Sequence, residues 1–211
     1  MEIQHQDLSY EIYKRLKTKI LANEFEPGAK LKQEHIAAMF GVSRMPLHRA
    51  FQMLENEMLI ENIPRRGFFV TKIDPNLLID AFECREALEG IAARRAAKNI
   101  TKEQIKYLKS LFKKFVGANE IVIAEYLESD QEFHNMIMKI SGNHIINRLE
   151  LLGNNTIRTF RGGLLRTPQE TLPEHLAIIE ALEKGDGELA EKLVREHTNK
   201  SMETLRNKQI K

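Results

Sequence analysis

The sequence predicts a mainly α-helical protein in two parts: an N-terminal winged helix-turn-helix with a small β-hairpin wing, then an antiparallel all-α helical bundle. Three observations predict this. Apolar residues recur at helical spacing over most of the chain. A glycine-punctuated helix pair near the N-terminus is followed by two short alternating segments around the turn Pro64-Arg65-Arg66-Gly67. Asp74-Pro75 then separates that part from a purely helical remainder, setting expected domains of 1–73 and 74–211.

Residues 7–25 read as an amphipathic helix with Leu8, Ile12, Leu16 and Ile20 on one stripe, stopping near Asn23. Pro27-Gly28 makes a turn. A short helix over 33–40 buries Ile36, Met39 and Phe40, and Gly41 fits a left-handed cap. Val42 plugs inward, Ser43 suits an N-cap, and the next helix runs to about Asn56 with Leu47, Ala50, Phe51, Leu54 and Met58 on one face. The segments around Leu59–Ile63 and Phe68–Lys72 alternate as two strands. Beyond the junction, helices are expected over 76–97, 102–116, 119–140, 144–165, 171–184 and 187–207. Thr101 with Gln104 and Thr171 with Glu174 form capping-box patterns, and Gly142 and Gly185 punctuate helix ends. There is no internal repeat, so the second part reads as one bundle.

The 211 residues are 42% hydrophobic and 29% charged, the balance of a globular chain. No run of 18 apolar residues occurs and the N-terminus lacks a signal-peptide core, so no membrane partner and a cytoplasmic location are expected. The single cysteine, Cys84, lies in a helical stretch and reads as a small buried hydrophobe, without redox chemistry. A net charge of +2 neither demands nor excludes nucleic acid, because the placement of positive charge decides that.

That placement is informative. Opposite the apolar face of the 43–57 helix stand Arg44, Met45, His48, Arg49 and Gln52, side chains that a recognition helix would put into the major groove. Arg65 and Arg66 at the hairpin tip can reach a phosphate or the minor groove.

The second part carries buried polar groups of another kind. Asp130 and His134 fall four residues apart on the stripe of Ile123, Leu127 and Ile137. His175 shares the face of Leu172, Ile178, Ile179 and Leu182, and His197 follows Ala190, Leu193 and Val194. A core-facing carboxylate is costly unless paired or metal-bound. One Asp and three His directed inward from three helices suit a divalent ion, zinc first, with nickel or manganese as alternatives, and leave coordination positions open. Arg85 lies on an apolar face near Ala81, Leu88 and Ala92, with Glu89 in reach as an ion-pair partner. Together with Arg158 and Arg161 it offers cations for a carboxylate effector.

The segments around Pro27–Leu31, Ile36–Ile60 and Pro64–Val70 resemble the winged helix-turn-helix of the GntR family of bacterial regulators over roughly residues 8–72. The resemblance implies that Ser43 and Arg44 make phosphate and base contacts, and that Arg66 and Gly67 form the wing tip approaching the minor groove. Met45 stands where the family has Thr, His48 where it has a second Arg, and Arg49 where Glu is usual; these departures bear on operator preference. Residues 78–205 resemble the effector domain of the FadR subgroup, the FCD type. Its metal-binding members use an Asp, a His four residues on, a His preceded by Glu, and a last His about 22 residues later, a pattern matched by Asp130, His134, His175 and His197. The connection between His134 and His175 is short for that pattern.

The function expected is that of a ligand-responsive transcriptional regulator, a repressor, binding palindromic double-stranded operator DNA as a homodimer and sensing a small organic acid. Two alternatives stay open on sequence: a metal-dependent enzyme, and a metal sensor without organic effector.

Overall fold

The computed structural model describes residues 8–72, 74–149 and 165–209. The chain forms two compact units, the first reaching Leu78 and the second beginning at Ile79.

In the first unit, α1 (Leu8–Leu21) buries Ile12, Leu16 and Ile20 and packs on α3 (Arg44–Asn56). Leu8, at the start of the expected stripe, is exposed. Helix α2 (Gln33–Phe40) ends at Gly41, whose φ of 64° is the left-handed conformation that glycine adopts without Cβ strain. The amides of Gly41 and Val42 then close on the carbonyls of Ala38 and Ala37. The buried side of α2 is Ile36 and Ala37 with half-buried Phe40, which leaves Met39 about a third of a turn away and exposed. Helix α3 turns Leu47, Ala50, Phe51 and Leu54 into the core, whereas Met58 lies past the helix end at a φ of 57° and is exposed. Strands β1 (Ile60–Ile63) and β2 (Gly67–Val70) pair antiparallel with Ile60 opposite Val70 and Ile63 opposite Gly67. Leu31 donates its amide to Phe68 and Lys30 bridges to Phe69, so the segment before α2 adds to the hairpin. Phe51 and Phe68 meet edge to face at 4.8 Å, fastening the wing to α3.

The second unit is built on α4 (Pro75–Asn99), α5 (Lys102–Phe112), a 3-10 turn at Lys113–Phe115, α6 (Ile123–Ile140), α7 (starting at 144 and described to 149), α8 (Pro168–Glu183) and α9 (Gly187–Gln209). The rest of the expected 144–165 helix lies outside the described residues. Leu108, Phe112, Tyr126, Phe133, Ile178 and Leu182 form the centre of its core. Thr101 and Gln104 make both bonds of the expected capping box. The box expected at Thr171 and Glu174 forms instead one turn earlier, between Thr167 and Glu170, because Pro168 supplies the preferred first helical residue. That shift releases Thr171 and Glu174 for other partners.

Two further expectations are corrected. On α6 the buried face runs Tyr126, Phe133, His134 and Ile137; Ile123 and Leu127 are exposed, because the face is rotated towards the aromatic residues. Cys84 is exposed, since the buried stripe of α4 passes through Leu78, Ala81, Phe82, Glu89, Ala92 and Ala93 and leaves position 84 on the other side.

Candidate metal centre and nucleic-acid interface

In the second unit, three helices bring Asp130 and His134 from α6, His175 from α8 and His197 from α9 together, with one ligand atom of each within 4.8 Å of all the others. His134, His175 and His197 are 3%, 0% and 6% exposed, so they lie out of reach of bulk solvent. A shared ion with bonds of about 2.1 Å would hold its ligands about 3 to 4.2 Å apart, so small side-chain rotations suffice to load the cluster.

Two of the imidazoles are hydrogen-bonded through Nδ1, and the third makes an ion-pair contact through it. His134 Nδ1 lies 2.8 Å from the Glu89 carboxylate on α4, and Glu89 also accepts from Arg85 Nε at 2.6 Å. His197 Nδ1 donates to Glu174 at 2.8 Å, and Glu174 further accepts from both terminal nitrogens of Arg166 and from Lys200. His175 Nδ1 lies 3.1 Å from the Tyr126 hydroxyl. An ionised carboxylate only accepts, so His197 carries its proton on Nδ1 and leaves Nε2 as a bare lone pair. The Nε2 atoms of His134 and His175, and Oε2 of Glu89, are buried with no hydrogen-bond partner, and the two Nε2 atoms stand 4.0 and 3.2 Å from the Asp130 carboxylate. Lone pairs converging on an anion in a buried space are unfavourable until a cation joins them. The donor set therefore fits a divalent ion.

The electrostatics agree. Burial pushes all three imidazoles below their usual pKa, which keeps them neutral and ready to ligate. Burial alone would raise Asp130, but the adjacent His175 ring and the fields of His134 and Arg85 hold it below the usual carboxylate range. Burial likewise opposes ionisation of Glu89, and Arg85 and His134 overcome it, to about 2.

Of the expected effector residues, Arg85 is nearly buried against Glu89, and its charge is felt at Asp130 and His134. Arg158 and Arg161 lie outside the described residues. The sequence reading missed Glu174 and Tyr126 as partners of the histidines and took Glu89 only as a partner of Arg85. A carboxylate on the alanine-rich face of α4 is the same signal that singled out Asp130.

In the first unit, Ser43, Arg44, Met45, His48 and Arg49 of the α3 region are exposed along one side, as are Arg65 and Arg66 at the hairpin tip, with Gly67 half-buried beside them. Ser43 stands at the N-cap, but its hydroxyl makes no cap bond, because the third helical residue is Pro46, which has no N–H. Arg44 donates to Glu34 of α2 at 2.9 Å. His48 meets Phe68 edge-on at 6.0 Å, and the Arg66 guanidinium and Lys30 ammonium flank the Phe69 ring at 5.4 and 5.8 Å. Arg65 holds a φ of 63°, a non-glycine residue in the left-handed region at the wing turn.

A basic-tipped winged helix-turn-helix, with a helical second unit that carries an Asp and His cluster, defines the class of a DNA-binding regulator. Residues 8–70 match the family of bacterial regulatory proteins, gntR family, and residues 80–200 match the FCD domain. The chain belongs to the GntR family of transcriptional regulators, in its FCD-containing, FadR-type branch, and is not an enzyme. It is similar to the HTH-type transcriptional repressor RspR of Escherichia coli, 29% identical over 95% of this chain and 90% of that protein. It is also similar to a probable D-xylose utilization operon transcriptional repressor of Paenarthrobacter nicotinovorans, 30% identical over 81% of this chain and 76% of that one. A putative GntR regulator from Rhodococcus sp. RHA1 shares the fold with a TM-score of 0.74 at 20% identity, over 94% of this chain and 97% of that one. No described helix is long and apolar enough to cross a membrane.

Proposed function

We propose that this regulator binds a palindromic operator as a homodimer and holds one divalent metal per chain at Asp130, His134, His175 and His197, where a small carboxylate effector joins the ion. The observation that carries the metal is the convergence of those four ligand atoms, with His175 and His197 hydrogen-bonded from behind through Nδ1. When bound, the ion supplies a fixed positive charge with open positions for a carboxylate oxygen; zinc is the first choice, nickel or manganese the alternatives. Arg85 adds positive charge beside Asp130 and His134. Arg158 and Arg161 belong to the same proposal.

Arg44, Met45, His48 and Arg49 read bases, Ser43 takes a phosphate with its uncommitted hydroxyl, and Arg65, Arg66 and Gly67 bring the wing to the minor groove. A dimer follows from the few base pairs that a single recognition helix can read. Repression is the sense of action we carry over from the two relatives named as repressors.

The test begins with operator sequences selected by the protein from a random duplex pool. Operator affinity of the zinc-loaded protein is then followed by fluorescence anisotropy as acetate, lactate, malate or citrate is added. The proposal expects at least one acid to shift the affinity and to bind the operator complex worse by the same factor, tenfold corresponding to about 1.4 kcal/mol. If none of them shifts it, the organic effector is withdrawn and the metal alone is the signal.

A further inference from the structure

His197 has its Nδ1 proton set by the Glu174 carboxylate and His134 Nδ1 stands 2.8 Å from that of Glu89, but His175 faces only a neutral hydroxyl, that of Tyr126. A hydroxyl can donate or accept, so by itself Tyr126 says nothing about which nitrogen of His175 holds the proton. The answer lies one bond further out. The Tyr126 hydroxyl is 2.7 Å from Thr171 Oγ1, and Thr171 Oγ1 donates to the Thr167 carbonyl at 3.2 Å. With the Thr171 proton on that carbonyl, which also accepts the Thr171 amide at 3.1 Å, the Thr171 hydroxyl oxygen is open to accept. In that arrangement Thr171 accepts from Tyr126 across the 2.7 Å contact, whose geometry allows either donor, and the Tyr126 proton is taken up. Tyr126 is left only to accept, and His175 must donate to it from Nδ1.

We propose that Tyr126 and Thr171 are positioning residues for His175, forming a one-way hydrogen-bond chain that keeps its proton on Nδ1 and its Nε2 open to a metal. The inference rests on the metal reading for its purpose, but the direction of the chain belongs to the protein itself. Tyr126 and His175 are fully buried and Thr171 nearly so, so water does not substitute for a missing link. The alternative tautomer is close at hand: with its proton on Nε2, His175 would donate to the Asp130 carboxylate 3.2 Å away, and both metal ligands would be consumed by each other. Phe112 stacks on the His175 ring at 4.7 Å, and Phe133 lies 4.8 Å from it, so the ring is held in place while its proton is chosen.

The test uses Tyr126→Phe, which removes one hydroxyl from a packed ring, Thr171→Val, which keeps the shape of the side chain, and Thr171→Ser as the conservative control. Long-range proton–nitrogen NMR on the metal-free protein reads the tautomer, and competition with a chelator reads zinc affinity. Wild type and Thr171→Ser are expected to show His175 protonated on Nδ1. In Thr171→Val the Tyr126 proton has no other acceptor, so it turns to His175 and drives the ring proton to Nε2; Tyr126→Phe does the same by removing the acceptor. Zinc affinity is expected to fall about 10-fold to 100-fold in both. Wild-type His175 protonated on Nε2, or both variants keeping the wild-type tautomer and zinc affinity, would overturn the proposal. If wild type takes up no zinc the metal reading fails, whereas the spectra of the metal-free protein still decide the direction of the chain.

Discussion

At the scale of single residues, the DNA-facing side contains a contact that its basic character hides. Arg44 is paired with Glu34 while both remain largely exposed, so the pair itself contributes little to stability. Its importance is for the proposed DNA contact, in which Arg44 exchanges Glu34 for a base or a phosphate. Arg44→Ala is expected to cost roughly 1–3 kcal/mol on the selected operator and less on random duplex, as a base contact would. Equal losses on both would make Arg44 a phosphate contact. Glu34→Gln removes a negative charge from the same side and should raise affinity for random duplex by about two- to fivefold, read by anisotropy at fixed salt; unchanged affinity would mean that the pair does not form in solution. The four ligand positions could be picked out from sequence because helical spacing put a carboxylate and three imidazoles among apolar neighbours. Tyr126 could not: a tyrosine on a core stripe looks like packing, and only the three-dimensional position of Thr171 reveals the use of its hydroxyl.

At the scale of elements, helix positions followed from periodicity, and their rotation did not. Helix α6 shows why. Its apolar residues cover more than one face, and neighbouring helices decide that Tyr126 and Phe133 go inward while Ile123 and Leu127 stay outside. The start of α8 was misplaced for a local reason, because two Thr-x-x-Glu patterns overlap there and Pro168 favours the earlier one. At Thr101 no such competition exists, and the expected box forms. Thr101→Ala should therefore destabilise the protein by about 1 kcal/mol, measured by denaturant titration. No loss of stability would mean that the cap is replaced by water at no cost.

At the scale of the whole molecule, burying three imidazoles and Glu89, with Asp130 and Glu174 half-buried beside them, makes the metal-free protein acid-sensitive. The histidine pKa values are lowered in the folded state, so as pH falls through about 6.5 the unfolded chain takes up protons that the folded chain refuses, and stability drops. Asp130, Glu89 and Glu174 are also held below their ordinary values, so their contribution is present above about pH 4 and is lost as pH falls further. Both contributions have the same sign. Denaturant titration of the metal-free protein should give lower stability at about pH 5.5 than at about pH 8; equal values would mean that the imidazoles titrate as freely folded as unfolded. The change of texture at Asp74-Pro75 marks where α4 begins, whereas the partners of the clustered imidazoles come from sequence-distant helices that no local pattern connects.

The account turns on whether the four converging residues hold an ion. Metal content per chain, measured by plasma mass spectrometry after zinc loading and dialysis, compares wild type with the His134→Ala/His175→Ala double variant. The account predicts one ion per chain in wild type and none retained in the variant; a folded variant that retains its ion, or a wild type that retains none, would contradict it.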